Sequence, residues 1–239
     1  MIGFVVAMEK EAKLFLDRWD NYFEQVIATK RVFVGEYIGN EAVLIIAGIG
    51  KVNAGFSTQI IIDKFAPKSI INFGVAGGKS NSGLKAGDVV LLDKICQYDF
   101  DLSEIDDVSI GYMQDYDTVY YNTNVNMYKG DAFKVCSCAT GDRFTKNKYF
   151  LNIIMNLSAQ VVDMESGAIV QVTHANNVPF LSVKLISDVD DIDESIFAQY
   201  QSNVQSICDK IPNAIEELLS NMDYHNYMGE ANETNNFVF

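Results

Sequence analysis

Two carboxylates stand at the junctions of one stretch, Val161 to Asp191. Glu165 sits where Val161-Val162 gives way to a helical pattern, and Asp188 where the apolar run Phe180–Ile186 ends. Two more acids, Glu9 and Glu11, follow directly on the first apolar run, Ile2–Ala7. In an open α/β sheet, ligands bind beyond the carboxyl ends of the strands. Acids delivered there suit acid/base chemistry or the holding of a sugar. The same acids are equally at home as helix caps, because the first turn of a helix favours negative charge. Spacing alone leaves the two readings evenly matched.

Three glycine-containing turns also lie at strand ends. Gly48-Ile49-Gly50-Lys51 looks like a fragment of a phosphate-binding loop, but Ile45 and Val52 occupy the first and last positions of the full pattern. Gly74-Val75-Ala76-Gly77-Gly78 reads as a small-residue turn after the strand Ser69–Gly74 and is not a dinucleotide fingerprint. Thr140-Gly-Asp-Arg-Phe144-Thr145 places a ring just past the strand Phe133–Ala139. Such a ring stacks on a planar ligand or joins the core.

The elements that must position these residues alternate between strand and helix. After Ile2–Ala7 comes a helix over Glu9–Arg18, with apolar Ala12, Phe15, Leu16 and Trp19 at helical spacing. Arg31–Ile38 and Glu41–Ala47 read as a hairpin turning on Gly39-Asn40. A helix Val52–Phe65, the strand Val89–Leu92, a helix Lys146–Leu157 and a last helix from about Asp193 to Met222 complete the set. Asp99–Asp131 is acidic, tyrosine-rich and irregular, and reads as a long loop with a short helix. This pattern predicts an α/β fold, a single domain over residues 1–222 with a mixed central β-sheet flanked by helices, followed by a flexible tail over 223–239.

Composition excludes several functions. The net charge is −14 with three arginines, Arg18, Arg31 and Arg143, so no basic patch for nucleic acid is expected. No apolar run reaches membrane-spanning length, and the N-terminus lacks the basic start of a secretory signal. Cys96, Cys136, Cys138 and Cys208 lack metal-binding spacing, and only His174 and His225 could join them. The expectation is a cytoplasmic protein with reduced thiols and no metal.

Six strand-end motifs occur in order: Ala7-Met8-Glu9-Lys10-Glu11, Gly48–Lys51, Asn72–Gly78, Gly141-Asp-Arg-Phe144, Val162-Asp-Met-Glu165 and Ile186-Ser-Asp188. This set resembles the nucleoside phosphorylase/nucleosidase superfamily, and within it the 5′-methylthioadenosine/S-adenosylhomocysteine nucleosidases. The resemblance runs from about Ile2 to Leu219. It implies hydrolysis of the N-glycosidic bond of an adenine nucleoside, extending to 5′-deoxyadenosine, with no metal or organic cofactor. It implies Asp188, in a Ser187-Asp188 pair, as the acid protonating N7 of the purine. Glu11 is the implied base that activates water at C1′. Glu165 is implied to hold the ribose hydroxyls, with Met164 against the sugar and Val75 near the water or ribose. Phe144 is implied to stack on the purine, the Thr145 backbone to read its edge, and Ile49 to line the 5′ side. A homodimer is implied, with each site completed by its neighbour.

Four departures accompany the resemblance. Val75 stands where these nucleosidases carry Ser or Thr. Lys184 replaces an Arg, and Asp163 replaces a Glu. The Pro-containing loop that reaches into the neighbouring subunit is missing, leaving Ile110 and Tyr112 as candidates for that contact. A phosphorylase on the same fold is the first rival. An anionic Glu11 would repel phosphate, and the Gly-Asp-Pro and arginine-rich phosphate motifs of that branch are absent after the first strand. A hydrolase of another nucleoside and a non-catalytic nucleoside-binding protein remain as further alternatives.

Overall fold

The structure, a computed structural model, describes residues 1–144, 148–190 and 196–223. Among the described residues, ten strands form one mixed sheet: β1 (Ile2–Val6), β2 (Asn21–Ile27), β3 (Lys30–Tyr37), β4 (Asn40–Ile46), β5 (Ser69–Gly78), β6 (Val89–Gln97), β7 (Tyr121–Asn122), β8 (Lys134–Thr140), β9 (Val161–Asp163) and β10 (Phe180–Val189). Seven helices of the same described residues accompany them: α1 (Glu9–Leu16), α2 (Lys51–Phe65), α3 (Ser103–Asp106), α4 (Lys148–Asn156), α5 (Ser166–Ala175), α6 (Ile196–Cys208) and α7 (Ile211–Ser220).

The sheet runs β10-β6-β8-β9-β5-β1-β4-β3-β2, and β10 also pairs with β5. Strands β5, β10, β6, β8 and β9 therefore close a ring, from which β1, β4, β3 and β2 extend as an open wing. The pairs β1–β4, β1–β5 and β5–β10 are parallel, whereas β5–β9 and β6–β10 are antiparallel. The wing is a meander with two tight turns. Ala28-Thr29 and Ile38-Gly39 all have positive φ, the mirror-image geometry that suits the twist of paired strands. The second turn is centred on Ile38-Gly39 rather than Gly39-Asn40, because Asn40 pairs with Tyr37.

Beneath the wing, Phe4, Phe15, Trp19, Tyr37 and Phe73 pack mainly edge to face, with Phe4 and Phe15 centroids 5.0 Å apart. Rings in this arrangement contribute about 0.5–1.5 kcal/mol per pair beyond burial. This cluster docks α1 on the sheet and so fixes where Glu11 points.

Several expected boundaries move. The glycine segment Gly74–Gly78 is no turn: it continues β5, paired with β10 and β9. The expected single last helix is two. Pro212 lies in the first turn of α7; its missing N–H and its ring cannot continue α6 past Cys208. The long loop contains α3 and β7, and β2 is a further strand that the sequence reading lacks. Residues 224–239 of the expected tail lie outside the described residues.

Candidate active site

A cavity of about 480 Å³ opens where β1, β5, β9 and β10 end. Glu11, Ile49, Val75, Phe144, Met164, Glu165, Ser187 and Asp188 all line it. Thr145 lies outside the described residues. Candidates from both ends of the sequence thus converge on one volume.

Glu11 reaches it from the first turn of α1. Its Oε2 accepts the Met8 N–H at 2.8 Å, and its Oε1 accepts the Val75 N–H at 2.9 Å. The capping reading is therefore half the answer: the carboxylate caps α1 and faces the cavity at once. Gly74 makes room for this. A Cβ there would lie 2.6 Å from Glu11 Oε1, and its φ is +153°, a conformation that glycine tolerates best. Burial raises the Glu11 carboxyl above its ordinary range, against the pull of the Val75 N–H, Lys184, the Met8 N–H and Lys10. The Val75 side chain offers no polar atom, but its backbone N–H holds the acid.

Glu165 occupies the N-cap position of α5 without capping it. Its Oε1 instead accepts the Gly50 N–H at 3.0 Å, so the Gly48–Lys51 turn serves as an anchor for a carboxylate. Burial, then the adjacent Asp163 charge, push Glu165 up to about 7, opposed by Lys184 and the Gly50 N–H. Behind it, the two family departures meet: Lys184 Nζ lies 2.9 Å from Asp163 Oδ2, both buried. A shorter acid faces a shorter base. Asp163 also accepts the Thr140 hydroxyl at 2.6 Å and the Ser166 N–H at 3.0 Å. Burial opposes both charges, yet the pairing wins. Lys184 and these donors hold Asp163 low, and Asp163 and Glu165 hold Lys184 high.

Asp188 is no helix cap. It lies within β10, beside an irregularity in the β5–β10 register between Ile186 and Asp188. A bulge re-aims a side chain, and here it sets Asp188 opposite Gly77. The Ser187 hydroxyl meets Asp188 Oδ1 at 2.5 Å. Burial raises the Asp188 carboxyl, the Ser187 hydroxyl lowers it, and Asp190 raises it again.

Phe144 is half exposed at the mouth, edge-on to Phe197 and Tyr200 of α6 at 6.5 and 6.0 Å. Lys79, Asp190 and Tyr200 also line the cavity, and sequence reading missed all three. Asp190 follows Asp188 by two positions and Lys79 follows the glycine pair, so proximity to recognised motifs was the available signal. Ile110 and Tyr112, expected to enter a neighbouring subunit's pocket, do not line this chain's own cavity; Tyr112 donates its hydroxyl to Asp117 at 2.7 Å. Among the described residues, no three His, Cys, Asp or Glu side chains gather as a metal site.

A sequence model of the Phosphorylase superfamily matches residues 1–220. The chain is 34% identical over 202 residues to a 5′-methylthioadenosine/S-adenosylhomocysteine nucleosidase of Desulfotalea psychrophila, covering 78% of this chain and 83% of that one. It is 30% identical to the nucleosidase of the same description from Buchnera aphidicola, over 92% and 98% of the two chains. In three dimensions it resembles the S-adenosylhomocysteine nucleosidase of Streptococcus pyogenes, solved with a methylthio nucleoside analogue. That superposition has a TM-score of 0.83 at 27% identity and covers 93% and 97% of the chains.

Proposed function

The chain belongs to the phosphorylase superfamily, and from that membership and its opposed carboxylates we propose that it hydrolyses 5′-methylthioadenosine and S-adenosylhomocysteine, releasing adenine and the thio-substituted ribose. The observation that carries the reaction type is the contrast in hydrogen bonding across the cavity. Glu11 receives two backbone N–H groups, which favour a carboxylate. Asp188 meets a hydroxyl, which serves an acid or its conjugate base alike.

Asp188 gives its proton to N7 of the purine. The C1′–N9 bond breaks, and its electron pair leaves with the base. Charge develops on the sugar as an oxocarbenium ion, which Glu11 and Glu165 stabilise. Glu11 takes a proton from the attacking water as its oxygen bonds to C1′, and solvent restores both side chains to their starting states. One water is consumed for each base released. Glu165 accepts from the ribose hydroxyls, Met164 packs on the sugar, and Phe144 covers the purine. The residues of this pocket need no cofactor for these steps.

Hydrolysis is favoured over phosphorolysis because Glu11 lines the cavity as an anion, Lys79 and Lys184 each already hold a carboxylate, Asp190 and Asp163, and the Arg143 guanidinium lies over the Phe150 ring at 4.2 Å. We assign the enzyme to the cytoplasm, where its four buried free thiols stay reduced. The partner is a second copy of the chain. Ile49, at the cavity, continues into Val52 and Phe56 on an α2 face left exposed in one subunit. Val52→Glu should yield monomers in sedimentation if that face is the contact.

The deciding experiment incubates the protein with methylthioadenosine, adenosylhomocysteine and inosine, with and without phosphate, and follows base release. Adenine release without phosphate is expected. A strict need for phosphate would make this chain a phosphorylase, and tight binding without release would make it a binding protein.

A further inference from the structure

Lys79 is an expensive residue for its place. It is 3% exposed on the cavity wall, where an apolar side chain would fill the space without desolvating a charge. Its ammonium is bonded to Asp190, which also lines the cavity. Asp190 accepts the Ser80 N–H on its other oxygen, and its own N–H donates to Gly78 O at 3.1 Å. Three bonds from one residue therefore clip the end of β10 to the end of β5. Asp188 lies inside that clip, two residues before Asp190 and in register with Gly77. None of these contacts has a part in the hydrolysis derived above. A buried ion pair is weak evidence of stabilisation, since apolar replacements of similar volume often do as well.

We propose that Lys79 and Asp190 form a positioning pair for Asp188, fixing the strand end that carries it and balancing the charge beside it. The proposal rests on the reading of Asp188 as the proton donor. Asp190 alone would set a negative charge close to Asp188; Lys79 offsets it, and among the described residues no cation pairs with Asp188 itself. The result is an acid kept able to hold its proton yet not trapped in the protonated form. The other charged or titratable groups around the cavity are Glu11 from α1, Arg143 from the segment after β8, Asp163 and Glu165 at the end of β9, and Tyr200 from α6. Lys184, behind the sugar side, bears on Glu11 and Glu165. The charge from Asp190 is the one that bears on Asp188 directly, and it raises the carboxyl as burial does.

The test is the pH profile of kcat/KM for methylthioadenosine, whose basic limb reports deprotonation of the acid in the free enzyme. In Lys79→Met, the uncompensated Asp190 opposes ionisation of Asp188, and the basic limb moves to higher pH. In Asp190→Asn, Lys79 favours ionisation, and the limb moves to lower pH. One neighbouring charge moves a carboxyl's titration by about one pH unit or more, so opposite displacements of about that size are expected. The double variant should return towards the wild-type limb, and Lys79→Arg should keep it. A pair that only held the fold together would lower activity in both single variants without displacing their limbs in opposite directions, and that result overturns the proposal. Should Lys79→Met not fold, Asp190→Asn against Lys79→Arg carries the same comparison; an unmoved limb in Asp190→Asn then overturns it. Asp188→Asn separates the two levels: turnover retained there defeats the proton-donor reading. Turnover lost there, with unmoved limbs in the pair variants, defeats only this proposal.

Discussion

The two ends of the cavity hold their carboxylates by different means. At the end proposed to take the sugar, Glu11 and Glu165 are tied to backbone N–H groups of Met8, Val75 and Gly50. At the end proposed to take the base, Asp188 meets a hydroxyl and lies on a bulged strand. Backbone donors cannot turn round; they reward an acceptor and nothing else. A hydroxyl rotates, donating to a carboxylate or accepting from a carboxylic acid. Burial raises both Glu11 and Asp188, so burial does not tell base from acid, and the proposed roles rest on the partners instead.

Substitutions that remove only the proton should break this contrast most sharply. Asp188→Asn keeps the shape and cannot protonate the purine, and Glu11→Gln places an amide where two N–H groups already point. Each should lower turnover by about 10²–10⁴-fold, with circular dichroism unchanged and nucleoside binding retained in Glu11→Gln. Near-wild-type hydrolysis by either removes that residue from its role. The next largest effect tests the support behind the sugar end. Lys184→Met leaves Asp163 charged and buried without its partner, which costs about 3–5 kcal/mol. A drop in the urea midpoint is expected, with much of it recovered when Asp163→Leu is added. A single variant as stable as the wild type would show that Asp163 is satisfied by Thr140 and Ser166 alone.

Gly74→Ala probes the same end more finely. The new methyl group would press on Glu11 Oε1, and about 1 Å of misplacement costs on the order of 10² in rate. Turnover should fall by about that factor while the fold persists. An unaffected rate would mean that Glu11 tolerates displacement, against the geometric argument for its two backbone anchors.

What the sequence disclosed follows the same division. Motifs at strand ends were readable because a strand that stops at glycine or an acid announces its end locally. The ends of the apolar runs single out Glu11, Glu165 and Asp188 as candidates, only the ordered set of motifs separates them from helix caps, and the alternation of strand and helix gives the mixed sheet. The closed ring was hidden, since a second partner for β10 and the pairing of β9 with β5 are long-range choices. The glycines of β5 were misread as a turn for the same reason: their role is to let Glu11 and Asp188 approach, and neither neighbour is local. Lys79 and Asp190 carry only the weak signal of lying beside motifs, because a charged residue there looks like a solvated one until the fold buries it. Asp163 and Lys184 were noticed singly as departures, and only the structure joins them.

The most gradual expected effect concerns Glu165, whose carboxyl differs from both Glu11 and Asp188 in being pushed up to about 7 by burial and Asp163. Its ordinary value is 4.5, which represents the unfolded chain. Between these two values the folded protein binds more protons at this site than the unfolded one. Stability must therefore fall as pH rises through that window and level off above about 7. A carboxyl that titrates one pH unit higher when folded gives up about 1.4 kcal/mol on ionising, so a rise from 4.5 to about 7 removes on the order of 3 kcal/mol by pH 8. Glu165→Gln cannot ionise and still offers an oxygen to the Gly50 N–H. Its melting temperature relative to wild type should rise steadily from pH 5 to pH 8, although turnover falls with the lost ribose contact. If the difference between the two proteins is flat over that range, Glu165 is already ionised at pH 5 in the folded state. The sugar end would then be built of carboxylates throughout, and the contrast with Asp188 would be sharper than the raised value of Glu165 implies.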